Sequence, residues 1–305
     1  MKSSAIQGRV FLPLLVALSC RGSDDNSGGS GRTLPPVYSL GPASNTNWDV
    51  DAGPVMLLSF ADGSDSVAIV LPEATDSTIG GLQNTTPMVN GLTFDLFGRS
   101  GKIASSLVTS LPTTGDTLRE CNAWPSARLL SARRGWTVGF VRGNVRAIPL
   151  DSIEALPSTD SASLAALLAQ SAAMLPVSSD PVFSRLPFRI RSAYRFTVDS
   201  EQVVVANVVR ALNEEANPRI EHIFLIAERP VGASGKYAVG YYSRVAGAEE
   251  TTQVSELLSV VAIGASKKPA VLLNIESDDG ARLGLIERAT PGKWRATWTS
   301  PNIDC

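Results

Sequence analysis

A single histidine and three cysteines stand in 305 residues, and these scarcities exclude a good deal of chemistry. A zinc site built on two or three imidazoles cannot form, and the H-E-x-x-H peptidase motif is excluded with it. No phosphate-binding loop, dinucleotide fingerprint, Cys-x-x-Cys pair or G-x-S-x-G elbow occurs, so the sequence predicts no cofactor and no metal. A formal net charge of -2 provides no basic field for nucleic acid and no acidic tail. The longest apolar run near the N-terminus is about half of the roughly 20 residues that a membrane-spanning helix needs.

That short run is informative in itself. Met1 to Arg9 carries Lys2 and Arg9 without an acid, and Val10 to Leu18 is apolar apart from Pro13. This is the charged and then hydrophobic order of a secretory signal over residues 1–19. The run ends in Ala17-Leu18-Ser19-Cys20, which resembles the lipobox of bacterial lipoproteins, with Ala17 where the family pattern usually has leucine. The resemblance implies that Cys20 becomes a lipidated N-terminus, held at a bilayer by acyl chains that contribute about 0.8 kcal/mol per buried methylene. Residues 20–36 then read as the attachment point and a glycine- and serine-rich flexible linker, with Asp24 and Asp25 in it. Without the lipid, the same segment reads as an ordinary secretory signal and the protein as secreted. With it, the protein belongs to the bacterial cell envelope, at the outer membrane or on a periplasmic face, and its first partner is the membrane.

The other cysteines are Cys121 and Cys305. In an exported chain two remaining cysteines form a candidate disulfide, and this one would close a long loop, worth on the order of 4 to 5 kcal/mol in the chain-entropy model. Two separate thiols are the alternative.

Hydrophobic residues make up 44% of the chain, enough for a packed body with a real core. The expected fold class is mainly β (α+β), with antiparallel sheets, hairpin meanders and at least one packed helix near 160–175. Val55 to Phe60 and Ser66 to Leu71 read as a hairpin across Ala61 to Asp65. Leu92 to Val108 repeats the pattern around Gly98 to Gly101, and Arg134 to Leu150 does so around Gly143-Asn144. These units form an expected N-terminal β-rich region, 37–150. A helix-containing region, 151–218, follows: Asp160 reads as an N-cap, Leu164, Leu167, Leu168, Ala172 and Leu175 as one stripe, and Pro176 as the stop. Val203 to Leu212 fits either strand or helix, with a helical ending favoured ahead of Asn217-Pro218. From residue 219 to 305 the runs around His222, Tyr241, Leu272, Leu285 and Trp294 read as a C-terminal meander, with Ser277 to Gly280 as a tight turn.

Within that meander, "SELLSVVAIGASKKPAVLLNIE" carries a strand, a loop and a further strand and resembles one FG-GAP or VCBS repeat, which implies a propeller-like arrangement. The family's loop is acidic and binds calcium. Here Gly264 to Lys268 is small and basic, so no calcium site carries over.

Four features are candidates for function. In "PFRIRSAYRFTV" strict alternation puts Phe188, Ile190, Tyr194, Phe196 and Val198 on one face and Arg189, Arg191 and Arg195 on the other, a candidate anion-binding face or a solvated one paired with glutamates. Glu214, Glu215, Glu221 and Glu228 could supply two carboxylates to a glycan or peptide hydrolase if the fold brought a pair within about 5 to 9 Å. His222, beside Glu221, is either a structural core histidine or the base of a triad. Trp294 and Trp298, with Ala296 between them, read as one aromatic face that closes a core or stacks on sugar. The expected function is a non-enzymatic binding or structural module of the envelope, with an envelope protein or polysaccharide as partner; the alternative is the hydrolase.

Overall fold

The computed structural model describes residues 48–79, 89–110, 124–176, 180–213 and 217–303. Cys20, Cys121, Cys305, Glu214 and Glu215 lie outside them. The described chain is mainly β. Its strands are β1 (Met56–Ser59), β2 (Ser66–Val70), β3 (Thr93–Gly98), β4 (Gly101–Ser110), β5 (Ser126–Leu129), β6 (Val138–Val141), β7 (Val145–Ala147) and β8 (Asp151–Ser152). After helix α1 (Ser158–Ala173) come β9 (Arg189–Val198), β10 (Glu201–Leu212), β11 (Arg219–Pro230) and β12 (Ala238–Ala248), then β13 (Val254–Ile263), β14 (Lys268–Ser277), β15 (Gly280–Thr290) and β16 (Lys293–Thr299).

These strands make a closed barrel of order β1-β2-β5-β4-β3-β6 and two sheets, β12-β11-β10-β9-β8 and β16-β15-β14-β13-β7. All pairings are antiparallel. The barrel and the five-stranded sheets stand where the repeat resemblance implied propeller blades. The "SELLSVVAI" segment is β13, paired with β14 inside one of those sheets.

The core explains the layering. Leu164, Leu168 and Ala172 of α1 pack on Val204, Ala206, Val208, Ile223, Leu225 and Ala227. The opposite face of that sheet presents Val203, Val205, Phe224 and Ile226 to Val260, Val271, Leu273, Ile286 and Trp294 of the second sheet. The second sheet's far face, with Val261, Ala270, Leu272 and Leu285, closes over the barrel core of Phe94, Leu96 and Phe140. Helix, sheet, sheet and barrel therefore stack in that order. Both sheets are covered on both faces, which is why β10 and β11 are near-continuous apolar runs rather than alternating ones.

Several sequence expectations change for physical reasons. The turn at Gly143-Asn144 exists, but β6 joins the barrel and β7 pairs with β13, so this corner carries the chain between layers and makes no hairpin. β10 pairs with β11 from Glu201↔Pro230 to Leu212↔Arg219, so Ala211 and Leu212 are strand and one sheet spans the expected boundary at 218. The expected C-terminal meander divides, β11 and β12 staying in the first sheet and β13 to β16 forming most of the second. The helix begins after Pro157, and Asp160 lies in its first turn without capping it. A carboxylate there still favours the helix through the N-terminal dipole.

The chain enters the described body at Trp48. Its indole N–H donates to the Gly53 carbonyl at 2.7 Å, and its ring meets Trp298 edge-on at 4.8 Å. Asp49 accepts an ion pair from Lys268 at 3.9 Å.

Candidate functional site

The candidate site is a cleft at the open flank of the two-sheet sandwich. Strand β12 is the edge of the first sheet and β16 the edge of the second. At one end they are held together: a Cβ on Gly240 would lie 2.8 Å from the Gly292 carbonyl oxygen, closer than real Cβ contacts come, so only glycine allows β12 to approach the β15–β16 turn this closely. Beyond Gly240 a cavity of about 120 Å³ lies between the sheets, lined by Phe224, Tyr241, Ser243, Gln253, Ser255 and Thr299 among others. Farther along β12, a second cavity of about 440 Å³ shares Gln253 and Ile275 and reaches Thr251, Asp279 and Arg282.

The chemistry of the inner cleft is neutral. Among the described residues, no aspartate, glutamate, lysine, arginine, histidine or cysteine lines it. The side chains of Ser243, Gln253, Ser255 and Thr299 make no hydrogen bond to protein among the described residues, which leaves hydroxyl and amide groups beside aromatic walls. Burial pushes the Tyr241 phenol above its ordinary value of 10.0, so its hydroxyl stays protonated. Such a cleft can hydrogen-bond and stack a ligand, while proton transfer would have to come from elsewhere.

The carboxylates picked out from the sequence are placed otherwise. Glu228 is 3% exposed and faces the second sheet. It accepts two bonds from Arg288, at 2.8 and 2.7 Å, one from the Gly292 N–H at 2.9 Å and one from the Trp294 indole at 2.5 Å. Arg288 also donates to Asp199 at 3.0 Å. Burial raises the Glu228 carboxyl, and the hydrogen bonds and the Arg288 charge outweigh it, so its pKa lies below the ordinary 4.5. Glu221 lies on the opposite face of β11, fully buried, bonded to Arg210 at 2.5 Å. Along the strand the two acids are separated by roughly 23 Å, at about 3.3 Å per residue, well outside a glycosidase spacing.

His222 is 1% exposed and its Nε2 has no hydrogen-bond partner among the described residues. Burial, and then the charge of Arg191, lower its pKa from 6.5 to about 4. It is a neutral imidazole in the layer between the sheets, across from Val245.

Bulges overturn both expectations based on alternation. Between Asn207 and Val208 the β9–β10 register slips, so Ile190 pairs with Val208 and Ala193 with Ala206. Phe188 and Ile190 therefore pack toward the helix, whereas Tyr194, Phe196 and Val198 pack between the sheets. The same slip separates the arginines: Arg195 shares the helix-side face with Val204 and pairs with Asp151 at 3.5 Å, while Arg189 lies across from Val209 on the other face. The three do not form one cationic surface. A second slip between Leu285 and Ile286 sends Trp294 to the inter-sheet core and Trp298 to the barrel side. A bulge adds one residue and inverts the inside-outside order after it. No alternation pattern signals this.

The cleft residues themselves were missed at the sequence level, because Ser243, Gln253 and Ser255 are ordinary polar residues until β12 and β13 bring them together. Comparison with family models, with curated proteins and with solved structures found no match to this chain.

Proposed function

We propose that the protein is a lipid-anchored envelope module that binds a neutral, hydroxyl-rich chain of the polysaccharide type in the cleft beside β12, without transforming it. The observation that carries this reading is the set of unspent neutral hydrogen-bonding groups, Ser243, Gln253, Ser255 and Thr299, set beside Phe224 and Tyr241. Sugars present hydroxyls that need such partners and C–H faces that stack on rings. The outer cavity, at about 440 Å³, lies within the usual range for a ligand site. Cys20 supplies the tether that keeps the module where such polymers are found.

The binding half is tested by calorimetric titration of the protein with soluble fragments of envelope polysaccharide. Ser243→Trp, which fills the inner cleft, is expected to weaken binding at least tenfold with little change in thermal midpoint. Equal affinity in the variant would sink the assignment. The anchoring half is tested by the mass of the mature N-terminal peptide: acyl chains on Cys20, lost in Cys20→Ala, are expected, and an unmodified soluble peptide would contradict it.

A further inference from the structure

One end of the barrel carries a second surface. Here the β1–β2 turn and the β5–β6 loop are stitched together. The Asp65 carbonyl accepts from the Leu129 N–H at 2.8 Å, and the Ser59 N–H donates to the Thr137 carbonyl at 2.9 Å. Asp62 accepts from the Gly135 N–H at 2.6 Å. A Cβ on Gly63 would meet the Arg134 side chain at 3.1 Å. The two loops thus form one rigid tip.

Two of the most exposed large apolar side chains of the described residues sit on this tip, Phe60 at 59% and Leu130 at 69%. Both immediately follow strands whose inward residues are fully used in the barrel core, so neither is needed for packing. The end of β5 and the β5–β6 loop also carry Arg128, Arg133 and Arg134, all exposed. Arg128 is held 3.7 Å from Asp65. Arg133 and Arg134 make no ion pair among the described residues. An apolar pair on loops that also carry the unpaired guanidinium groups of Arg133 and Arg134 fits a surface that offers hydrocarbon just beneath negative charge.

We infer that this tip rests on a membrane surface rich in anionic lipid, with Phe60 and Leu130 entering the acyl boundary and Arg133 and Arg134 on the headgroup phosphates. Arginine forks match phosphate oxygens, and an aromatic and a leucine side chain gain free energy on leaving water. Chain length permits the contact. From Cys20 to Trp48, at about 3.3 Å per residue, the chain can span up to ~90 Å, more than enough for an anchored protein to turn its barrel tip to the bilayer. The inference shares a membrane with the proposed tether but does not depend on the lipid.

The test uses the Cys20→Ala chain, which cannot be acylated there, in sedimentation with vesicles of phosphatidylcholine alone or with phosphatidylglycerol. Binding to the anionic vesicles and its loss in high salt are expected. Phe60→Ser with Leu130→Ser should lower the partition coefficient about tenfold or more, and Arg133→Glu with Arg134→Glu should erase the preference for phosphatidylglycerol. All four side chains are exposed, so the thermal midpoint should hold and separate a binding defect from a folding one. No sedimentation of the Cys20→Ala chain with anionic vesicles, or equal sedimentation of these variants, would overturn the inference while leaving the result for acylated Cys20 unaffected.

Discussion

Glu228 and Glu221 occupy one strand and both are shut away from water, yet their surroundings differ. Every Glu228 oxygen is engaged, by a two-pronged arginine, a backbone N–H and an indole. Glu221 holds Arg210 with one oxygen, while its Oε1 and the Arg244 Nε face each other at 3.9 Å and make no hydrogen bond among the described residues. The difference follows from position. Glu228 lies between two sheets, where a neighbouring layer can supply donors. Glu221 faces the helix side, where its donors come from its own sheet and Phe183 and Phe188 lie against Arg210. A buried ion pair stabilises a fold only when its remaining lone pairs and protons are also satisfied, and by that measure Glu228 is the bolt between sheets.

The largest effect should come from removing that bolt. Arg288→Ala leaves a buried carboxylate without its counter-charge and is expected to cost roughly 3 to 5 kcal/mol, read from urea unfolding at neutral pH. A loss below about 1 kcal/mol would show that Glu228 is no better held than Glu221.

Acid unfolding separates Glu228 from His222, its neighbour on the same face of β11. The folded pKa of His222, about 4, lies below its ordinary 6.5; the unfolded chain therefore takes up a proton first, and stability falls as pH drops from about 6.5 to 4. That window is worth roughly 3 kcal/mol. Glu228, also lowered, contributes fully above its ordinary 4.5 and loses that contribution only as pH falls below it through the folded value. His222→Leu should flatten the stability profile between pH 6.5 and 4. An unchanged slope there would assign the acid sensitivity to the carboxylates.

The smallest effect is expected for Arg210→Ala, about 2 kcal/mol, since Arg244 already lies near the other Glu221 oxygen and can close on it. A cost equal to that of Arg288→Ala would erase the distinction between the two sites.

Local signals were readable in the sequence. The β1–β2 and β3–β4 hairpins follow from apolar runs around turn residues, and Ser277↔Gly280 closes β14 on β15 across Asp278-Asp279, with Gly280 at φ 125. The stripe of Leu164, Leu168 and Ala172 marked the helix face. What escaped is non-local. Periodicity does not tell that β7 leaves β6 for β13, or that the registers slip at Asn207 and at Leu285. The cleft escaped too, because its hydroxyls belong to strands of different sheets.

The clamp at Trp48 gives the molecule a mechanical character. Tension applied to the N-terminus reaches the Trp48 indole seated against Trp298, then Asp49 and Lys268, before it reaches β1. The load is thereby shared with β14 and β16 of the second sheet, and the first barrel strand is shielded from being peeled off one hydrogen bond at a time. A protein pulled from that end would yield as a sheet sheared whole, with a force threshold set by the packing of two tryptophans.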